Sequence, residues 1–137
     1  MSTPLYAVDV KNICKNILPA DTTAWVDAYD NSAGSKAVRV ESLSIASTDT
    51  STVNVQVGIL KGGTTFVNGT CRAVTLSGTD GAAAKVQALS AGCAGTLAAD
   101  GIYDVWVEAG AKLQVKTLAN VTADKIVTVT GRVRTFA

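Results

Sequence analysis

The sequence predicts an all-β fold, a single-domain sandwich of two antiparallel sheets of the jelly-roll kind, with a short N-terminal arm or helix. Apolar and polar residues alternate over about eight or nine short segments, which is typical of strands with one buried face. Turn-forming residues separate these segments, and their order contains no βαβ units. At 137 residues the chain is long enough for one core, so we expect one domain.

The first segment, residues 1–20, is predicted to be an arm or a short helix, and residues 21–137 form the sandwich. Asp9 is placed as a helix N-cap, and Pro19 closes the segment. Apolar residues fall between them at helical spacing: Val10, Ile13, Cys14, Ile17 and Leu18. An alternation typical of a strand also fits this segment, so that interpretation stays open. As an arm, it would pack on its own sandwich or, as we favour, lie across a neighbouring subunit.

Residues 36–60 predict a central hairpin of two strands around a tight turn. In the first strand, the apolar positions change parity between Val40 and Leu43, so one residue near Glu41 and Ser42 must be absorbed in a β-bulge. Short side-chain oxygens in residues 48–51 favour the turn. The second strand places its apolar residues on one face: Val53, Val55, Val57 and Ile59.

More strands are predicted on both sides of this hairpin. Residues 24–29 form the first strand of the sandwich. Gly62-Gly63 predicts a turn, and Asn68-Gly69, the strongest short hairpin signal, predicts another between strands at residues 64–67 and 70–76.

Two loops of small residues, at residues 77–84 and 90–101, are predicted to flank a short strand at residues 84–89. Loops of this length usually serve a function or are ordered by a partner. The last third of the chain is regular again, with apolar strand faces at Tyr103, Val105 and Val107, at Leu113 and Val115, and at Val127, Val129 and Val133.

Charged and polar residues in this last third are predicted to face solvent. Asp104 and Glu108 alternate with an apolar face, so we interpret them as a solvated face rather than, with Asp100, as oxygen ligands of a metal. The same alternation predicts an exposed polar face at three further positions: Lys112, Gln114 and Lys116.

Composition argues against several classes of function. The net charge is +1 and charged residues make up 17% of the chain, so no strong field attracts nucleic acid. The start has no basic region followed by an apolar core, and no apolar run reaches membrane-spanning length, so we expect neither secretion nor a membrane partner. Without histidine, Ser-His-Asp and Cys-His arrangements are excluded, and we predict no catalytic residue, no cofactor and no metal site.

The three cysteines, Cys14, Cys71 and Cys93, are odd in number and widely spaced. There is no CxxC pair, so a zinc site is not indicated. We expect all three to be buried free thiols.

The aromatic residues suggest an interface. Trp106 has the opposite parity to the apolar face of its strand, so its indole is predicted to lie on the outside of the sheet. It would stack on a ligand such as a sugar, be covered by another protein chain, or be covered by the N-terminal arm. We predict a protein interface formed by Leu5, Tyr6, Val8, Val10, Trp25 and Trp106.

Turn and strand motifs between residues 36 and 133 resemble those of small structural proteins of tailed bacteriophages. They are Arg39-Val40, Thr48-Asp49-Thr50, Gly62-Gly63, Glu108-Ala109-Gly110 and Leu113-Gln114-Val115-Lys116. In size and character the chain is most similar to the capsid cement or decoration proteins. No site residue carries over from the resemblance, because the matching positions look like determinants of the fold.

The resemblance implies a non-enzymatic jelly-roll protein that is made in the cytoplasm of the host bacterium and bound to the outside of the virion capsid. Its partners would be the major capsid protein and other copies of itself, with a homodimer favoured and a homotrimer as the alternative. Two other roles stay open: a structural protein of the neck or tail, and a carbohydrate-binding sandwich that uses an exposed tryptophan.

Overall fold

The structure, a computed structural model, describes residues 7–49, 53–73, 86–89 and 95–136. In these residues the chain forms ten β-strands and a turn of 3-10 helix at Pro19–Asp21. The described residues contain no helix long and apolar enough to cross a membrane. In chain order the strands are β1 (Ala7–Ile17), β2 (Val26–Asp30), β3 (Val38–Ser47), β4 (Val53–Lys61), β5 (Thr64–Ala73), β6 (Val86–Gln87), β7 (Thr96–Leu97), β8 (Tyr103–Val107), β9 (Lys112–Thr117) and β10 (Val127–Phe136).

The strands form two antiparallel sheets. Sheet A has the order β1-β10-β3-β8-β7, with β6 also paired to β3, and sheet B has the order β2-β9-β4-β5. Buried aliphatic side chains from both sheets form one core cluster between them. The predicted two-sheet antiparallel sandwich is therefore confirmed, whereas its jelly-roll connectivity stays a prediction.

The N-terminal segment is a strand, so its helical interpretation is wrong. β1 pairs with β10 from Ala7 opposite Phe136 to Ile17 opposite Val127. Ile13 and Ile17 are buried, but residues four apart share a face in a strand as well as in a helix, so this spacing could not distinguish the two. Among the described strands, β1 lies at the edge of sheet A and packs on its own sandwich, so the favoured placement across a neighbouring subunit is wrong for residues 7–17. Residues 1–6 lie outside the described part of the chain, and their role as an arm stays a prediction.

The predicted central hairpin is also wrong, although both of its strands exist. β3 belongs to sheet A and β4 to sheet B, so the connection between them crosses from one sheet to the other. An apolar face on each strand suits this arrangement, because the two faces meet across the core instead of lying side by side. The structure describes residues 48 and 49 of the predicted turn, but residues 50 and 51 lie outside the described part of the chain.

The β-bulge predicted in β3 is confirmed. Arg132 lies opposite Ser42 and Val133 lies opposite Val40, so Glu41 is passed over in the pairing with β10. The apolar residues before and after the bulge consequently both face the core. A shift of one residue without a bulge would turn one of these two sets toward solvent.

Gly131 on β10 allows the close approach that this bulge needs. A Cβ atom at Gly131 would lie 2.3 Å from the carbonyl oxygen of Ser42, which is closer than real Cβ contacts permit. The bulge in β3 therefore requires a residue without a side chain at position 131 of β10.

Of the two predicted glycine turns, one is confirmed and one is wrong. Gly62 and Gly63 join β4 to β5 with φ values of +60° and +80°. At the second site β5 continues without a turn, and Asn68 is the residue passed over between Gly69 opposite Val57 and Val67 opposite Gly58. Extended pairing with β4 overrides the local turn preference of Asn-Gly, which is absorbed as a bulge.

The remaining predicted strands lie near their expected positions. β2 starts two residues later than expected, β6 lies within residues 84–89, and β7 lies inside the predicted loop of residues 90–101. The predicted loop at residues 77–84 and the last residues of the strand at 70–76 fall outside the described residues.

Two residues predicted to face solvent are buried. Asp104 is 6% exposed and Gln114 is 8% exposed. Both lie on the outer faces of their sheets, where polar side chains from neighbouring strands cover them. The alternation located the face correctly, but it could not show what covers that face.

The thiol of Cys14 is exposed, so the prediction that it is buried is wrong. Cys14 has the parity opposite to the buried residues Ile13 and Ile17 of β1. The side chain of Cys71 and the whole of Cys93 lie outside the described part of the chain.

Asn31, directly after β2 in sheet B, links the two sheets. Its side-chain amide donates to the carbonyl oxygens of Lys36 at 3.0 Å, Val107 at 3.1 Å and Glu108 at 3.0 Å. Its backbone makes three further hydrogen bonds at 3.0 Å, with Ala111, Gly34 and Gly110. The residue is 6% exposed, so these bonds replace those that it would make with water.

The three carbonyl oxygens around this amide make a carboxylate unfavourable at the same position. At neutral pH, Asn31→Asp would place a buried negative charge against three acceptors, and we expect the free energy of unfolding to fall by about 2–4 kcal/mol. Urea unfolding measures this change. Asn12→Asp, on the exposed face of β1, is the matched control and should change stability by less than about 0.5 kcal/mol. Equal midpoints for the two variants would contradict the role of Asn31.

Candidate interaction surface

A cross-strand row of side chains runs over the outer face of sheet A. The registers place Val10 opposite Arg134, Arg134 opposite Arg39, and Arg39 opposite Trp106. Directly opposed residues point to the same side of a sheet, so these four residues form one line, which we call the outer row. The neighbouring line points into the core and is buried: Val133, Val40 and Val105.

Trp106 is at one end of the outer row, and its predicted outward direction is confirmed. The residue is 45% exposed, and its indole stacks on the ring of Phe136 with centroids 5.5 Å apart and planes at 23°. β3 and β10 separate Trp106 from Val10 on β1, so β1 does not cover the indole. The exposed aromatic surface is therefore held in place by a second ring.

Arg39, next to Trp106, is held by two aspartates. Its Nε donates to Asp104 at 2.6 Å, and its two Nη atoms lie 3.0 and 3.1 Å from the carboxylate of Asp100. The side chains of Arg39 and Asp104 are 14% and 7% exposed. Arg39 and Asp104 therefore form a largely buried ion pair, and the more exposed carboxylate of Asp100 binds the two Nη atoms of the same guanidinium.

Glu41, the bulged residue of β3, binds arginines of β10. Arg134 donates to both carboxylate oxygens from Nε and Nη2 at 3.0 Å, and the Nε of Arg132 lies 3.6 Å from the carboxylate. The Glu41 side chain is 9% exposed. The bulge thus turns an acidic residue toward two basic ones on the adjacent strand.

The contacts favour the charged forms of two carboxylates and two arginines on this face. The pKa of Glu41 lies below its ordinary value, mainly because Arg134 donates hydrogen bonds to it. Hydrogen bonds from Arg39 likewise lower the pKa of Asp100, and hydrogen bonds to the carboxylates raise the pKa values of Arg39 and Arg134. On the outer face of sheet A, three arginines therefore face three carboxylates.

Trp25, the other predicted interface tryptophan, lies on the opposite side of the sandwich. A Cβ atom at Gly58 of β4 would lie 2.9 Å from Cη2 of Trp25 and 2.9 Å from Cγ2 of Thr65, so both side chains fill the space above this glycine. The Nζ of Lys116 lies 4.9 Å from the centroid of the Trp25 ring, within range of a cation–π interaction. Trp25 and Trp106 thus belong to different surfaces.

Hydrogen bonds tie the side chains beside Trp25 together. Gln114 donates to Asp27 at 2.9 Å and accepts from the Thr65 hydroxyl at 2.7 Å, reaching across β4 where Gly58 has no side chain. The bond from Gln114 is the main cause of the lowered pKa of Asp27. This network explains why Gln114 is buried on an outer face.

The structure places only part of the predicted interface. Val10 is 46% exposed and lies in the outer row with Trp106. Leu5 and Tyr6 lie outside the described residues, as does the side chain of Val8. The interface role of all six residues stays a prediction.

Sequence reasoning missed the charged partners and the stacking ring beside Trp106. Arg39, Glu41, Arg132 and Arg134 alternate with apolar residues on two strands, which is a usable signal once the strands are known to pair. Phe136 had no such signal, because its contact with Trp106 spans an intervening strand. Within the described residues, no group of three or more cysteine, aspartate or glutamate side chains could hold a metal ion.

Comparisons with known proteins give a structural match only. No protein-family model matches the chain, and no curated protein matches it. Two solved structures of a pentameric capsid protein from metagenomic phage sequences are similar at a TM-score of 0.41 and 20% identity. The matches cover 90% of this chain but only 59% and 61% of those chains. At this level of similarity, their pentameric assembly is not transferred to this chain.

Removing Arg39 should destabilise the fold, because the nearly buried Asp104 carboxylate would lose its partner. We expect Arg39→Ala to lower the free energy of unfolding by about 2–3 kcal/mol in urea titrations. Lys61→Ala removes the exposed ion pair with Glu108 and serves as the control, with a cost below about 1 kcal/mol. Equal costs would show that the burial of Asp104 is unimportant.

Stability should fall in acid. A carboxylate whose pKa is lowered by folding stabilises the protein above its unfolded pKa, and this contribution is lost as the pH falls through the folded pKa. We therefore expect the melting temperature to be level near neutral pH and to drop below about pH 4.5, the ordinary value for glutamate. Glu41→Gln should be less stable at neutral pH and show a smaller drop. A parallel pH profile for the variant would exclude Glu41 as a contributor.

Proposed function

We propose that this chain is a non-enzymatic structural protein of a tailed bacteriophage that binds the outside of the capsid lattice and stabilises it. The observation that carries this proposal is the outer face of sheet A, where an exposed tryptophan is fixed beside a set of mutually paired charges. The resemblance of the turn and strand motifs to phage structural proteins supports the same conclusion.

The geometry of this face suits a protein partner. The stack with Phe136 and the ion pairs around Arg39 restrict the side chains before binding, which lowers the entropy lost on association. The charges of the face satisfy one another, so a partner need not supply a buried counterion. Trp106 then provides the large, partly exposed aromatic surface that is enriched at the centres of protein interfaces.

The partners proposed are the major capsid protein and other copies of this chain, with a homodimer favoured over a homotrimer. Val10 extends the face toward the edge strand β1. Because β1 belongs to sheet A, the arm is proposed for the residues that precede it, with Leu5 and Tyr6 as its contacts and Val8 of β1 beside them. An arm that spans subunits adds interface area without a larger core.

Binding to capsids tests the proposal. Purified protein added to capsids that lack it should bind at a fixed ratio and raise their melting temperature. Trp106→Ala should weaken this binding by about tenfold or more, whereas Phe66→Ala, which removes a ring that is 60% exposed on sheet B, should not. Circular dichroism checks that both variants fold. Equal binding by wild type and Trp106→Ala would contradict the role of this face, and no binding by wild type would contradict the function.

Two alternatives predict different results. The number of copies in purified virions separates a cement protein, present in hundreds, from a neck or tail protein, present in about a dozen or fewer. The exposed ring of Trp106 also favours a carbohydrate-binding role. Binding to a glycan array that disappears in Trp106→Ala would support that role in place of the proposed one.

A further inference from the structure

An open cleft of about 560 Å³ lies at the end of the sandwich near Asn31. Its walls come from β1, the end of β2, the loop between β2 and β3, and the end of β10. Its lining includes two lysines and two aromatic residues: Lys11, Lys36, Tyr29 and Phe136. The outer face of sheet A adjoins this cleft, because Phe136 both lines the cleft and stacks on Trp106.

Two of the side chains that line the cleft are lysines. Lys11 and Lys36 are exposed, and within the described residues no acidic group lies within 4.0 Å of either ammonium. Asp9, close to Lys11 on β1, directs its carboxylate to the backbone N–H of Val10 at 2.8 Å. This differs from Lys61 and Lys112, which form ion pairs. Lys11 and Lys36 therefore have charge available for a ligand.

The loop between β2 and β3 adds hydrogen-bond donors. The backbone N–H groups of Ser35 and Lys36 donate to no acceptor in the described part of the chain. The amide of Asn31 fixes this loop by its bond to the carbonyl of Lys36. The loop that carries these donors is therefore held in place, and backbone N–H groups suit carboxylate oxygens.

Two aromatic side chains also line the cleft. Phe136 is held by its stack on Trp106, and Tyr29 packs against the core. Enclosed pockets for small molecules bury most of their ligand, but this cleft is open to solvent. An open groove lined by both lysines and aromatic rings suits an extended peptide better than a small molecule.

We propose that this cleft binds an extended acidic segment of a partner protein, with carboxylates on Lys11 and Lys36 and an apolar side chain against Phe136. The assignment of the segment to the capsid partner rests on the proposed function. The binding itself does not.

Fluorescence anisotropy with labelled peptides tests the cleft. The probes are a set of nine-residue peptides in which Glu alternates with Val and a single Phe at different positions, and the reference peptides carry Gln in place of Glu. We expect saturable binding of an acidic peptide, weakened severalfold from about 50 mM to about 300 mM salt. Lys11→Gln with Lys36→Gln should weaken it by about tenfold.

The matched control carries Lys15→Gln and Lys125→Gln, which remove the same charge outside the cleft. It should bind the acidic peptides as wild type does, and circular dichroism verifies that both double variants fold. The proposal is overturned by no saturable binding to wild type, by equal binding of the Gln peptides, or by equal losses in the two double variants.

A capsid-binding assay of the cleft variant separates this inference from the proposed function. Loss of both peptide and capsid binding would support a capsid source for the segment. Loss of peptide binding with intact capsid binding would support the cleft as a peptide site and contradict the capsid protein as the source of the segment. If wild type binds the peptide but no capsid, the cleft assignment holds and the proposed function fails.

Discussion

The hydrogen bonds of Asn31 are the constraint on which the rest of this end of the molecule depends. The residue directly follows β2 of sheet B, and its amide donates to the carbonyl of Val107 at the end of β8 in sheet A. Sandwich sheets are otherwise held mainly by side-chain packing, which is not directional. A buried amide with fixed acceptors adds direction and so sets how the two sheets meet there. The strand that carries Trp106 and the loop that forms one wall of the cleft are both positioned by it.

On the outer faces of the two sheets, two glycines determine which side chains can meet. Gly131 lets β10 approach the bulge at Glu41, and that bulge directs a carboxylate toward the arginines of β10. On the other sheet, Gly58 leaves the space that Trp25 and Thr65 occupy. In both places, the missing side chain on one strand allows a polar network to form across neighbouring strands. The surface chemistry therefore depends on close backbone approach as much as on the residues that carry it.

The alternation of apolar residues predicted most of the strands, the bulge near Glu41 and the outward direction of Trp106, because each follows from the period of a single strand. It could not predict which strands pair. β3 and β4 were expected to form a hairpin, yet they lie in different sheets. The burial of Asp104 was missed for the same reason, since its partner Arg39 is 65 residues away in sequence. The spacing of Ile13 and Ile17 fits a helix and a strand equally, and only the pairing with β10 decides between them.

The distribution of charge then separates two kinds of binding surface on one small domain. On the outer face of sheet A, the arginines already bind carboxylates of the same chain, and a partner that competed for them would have to break those pairs. Association there must rely on Trp106 and neighbouring apolar surface, so it should depend little on ionic strength. Lys11 and Lys36 have no such partners within the described residues, so the cleft gains most from an acidic ligand and is most sensitive to salt. The ring of Phe136 belongs to both surfaces, so a ligand that displaced it from the cleft would also disturb the stack beneath Trp106.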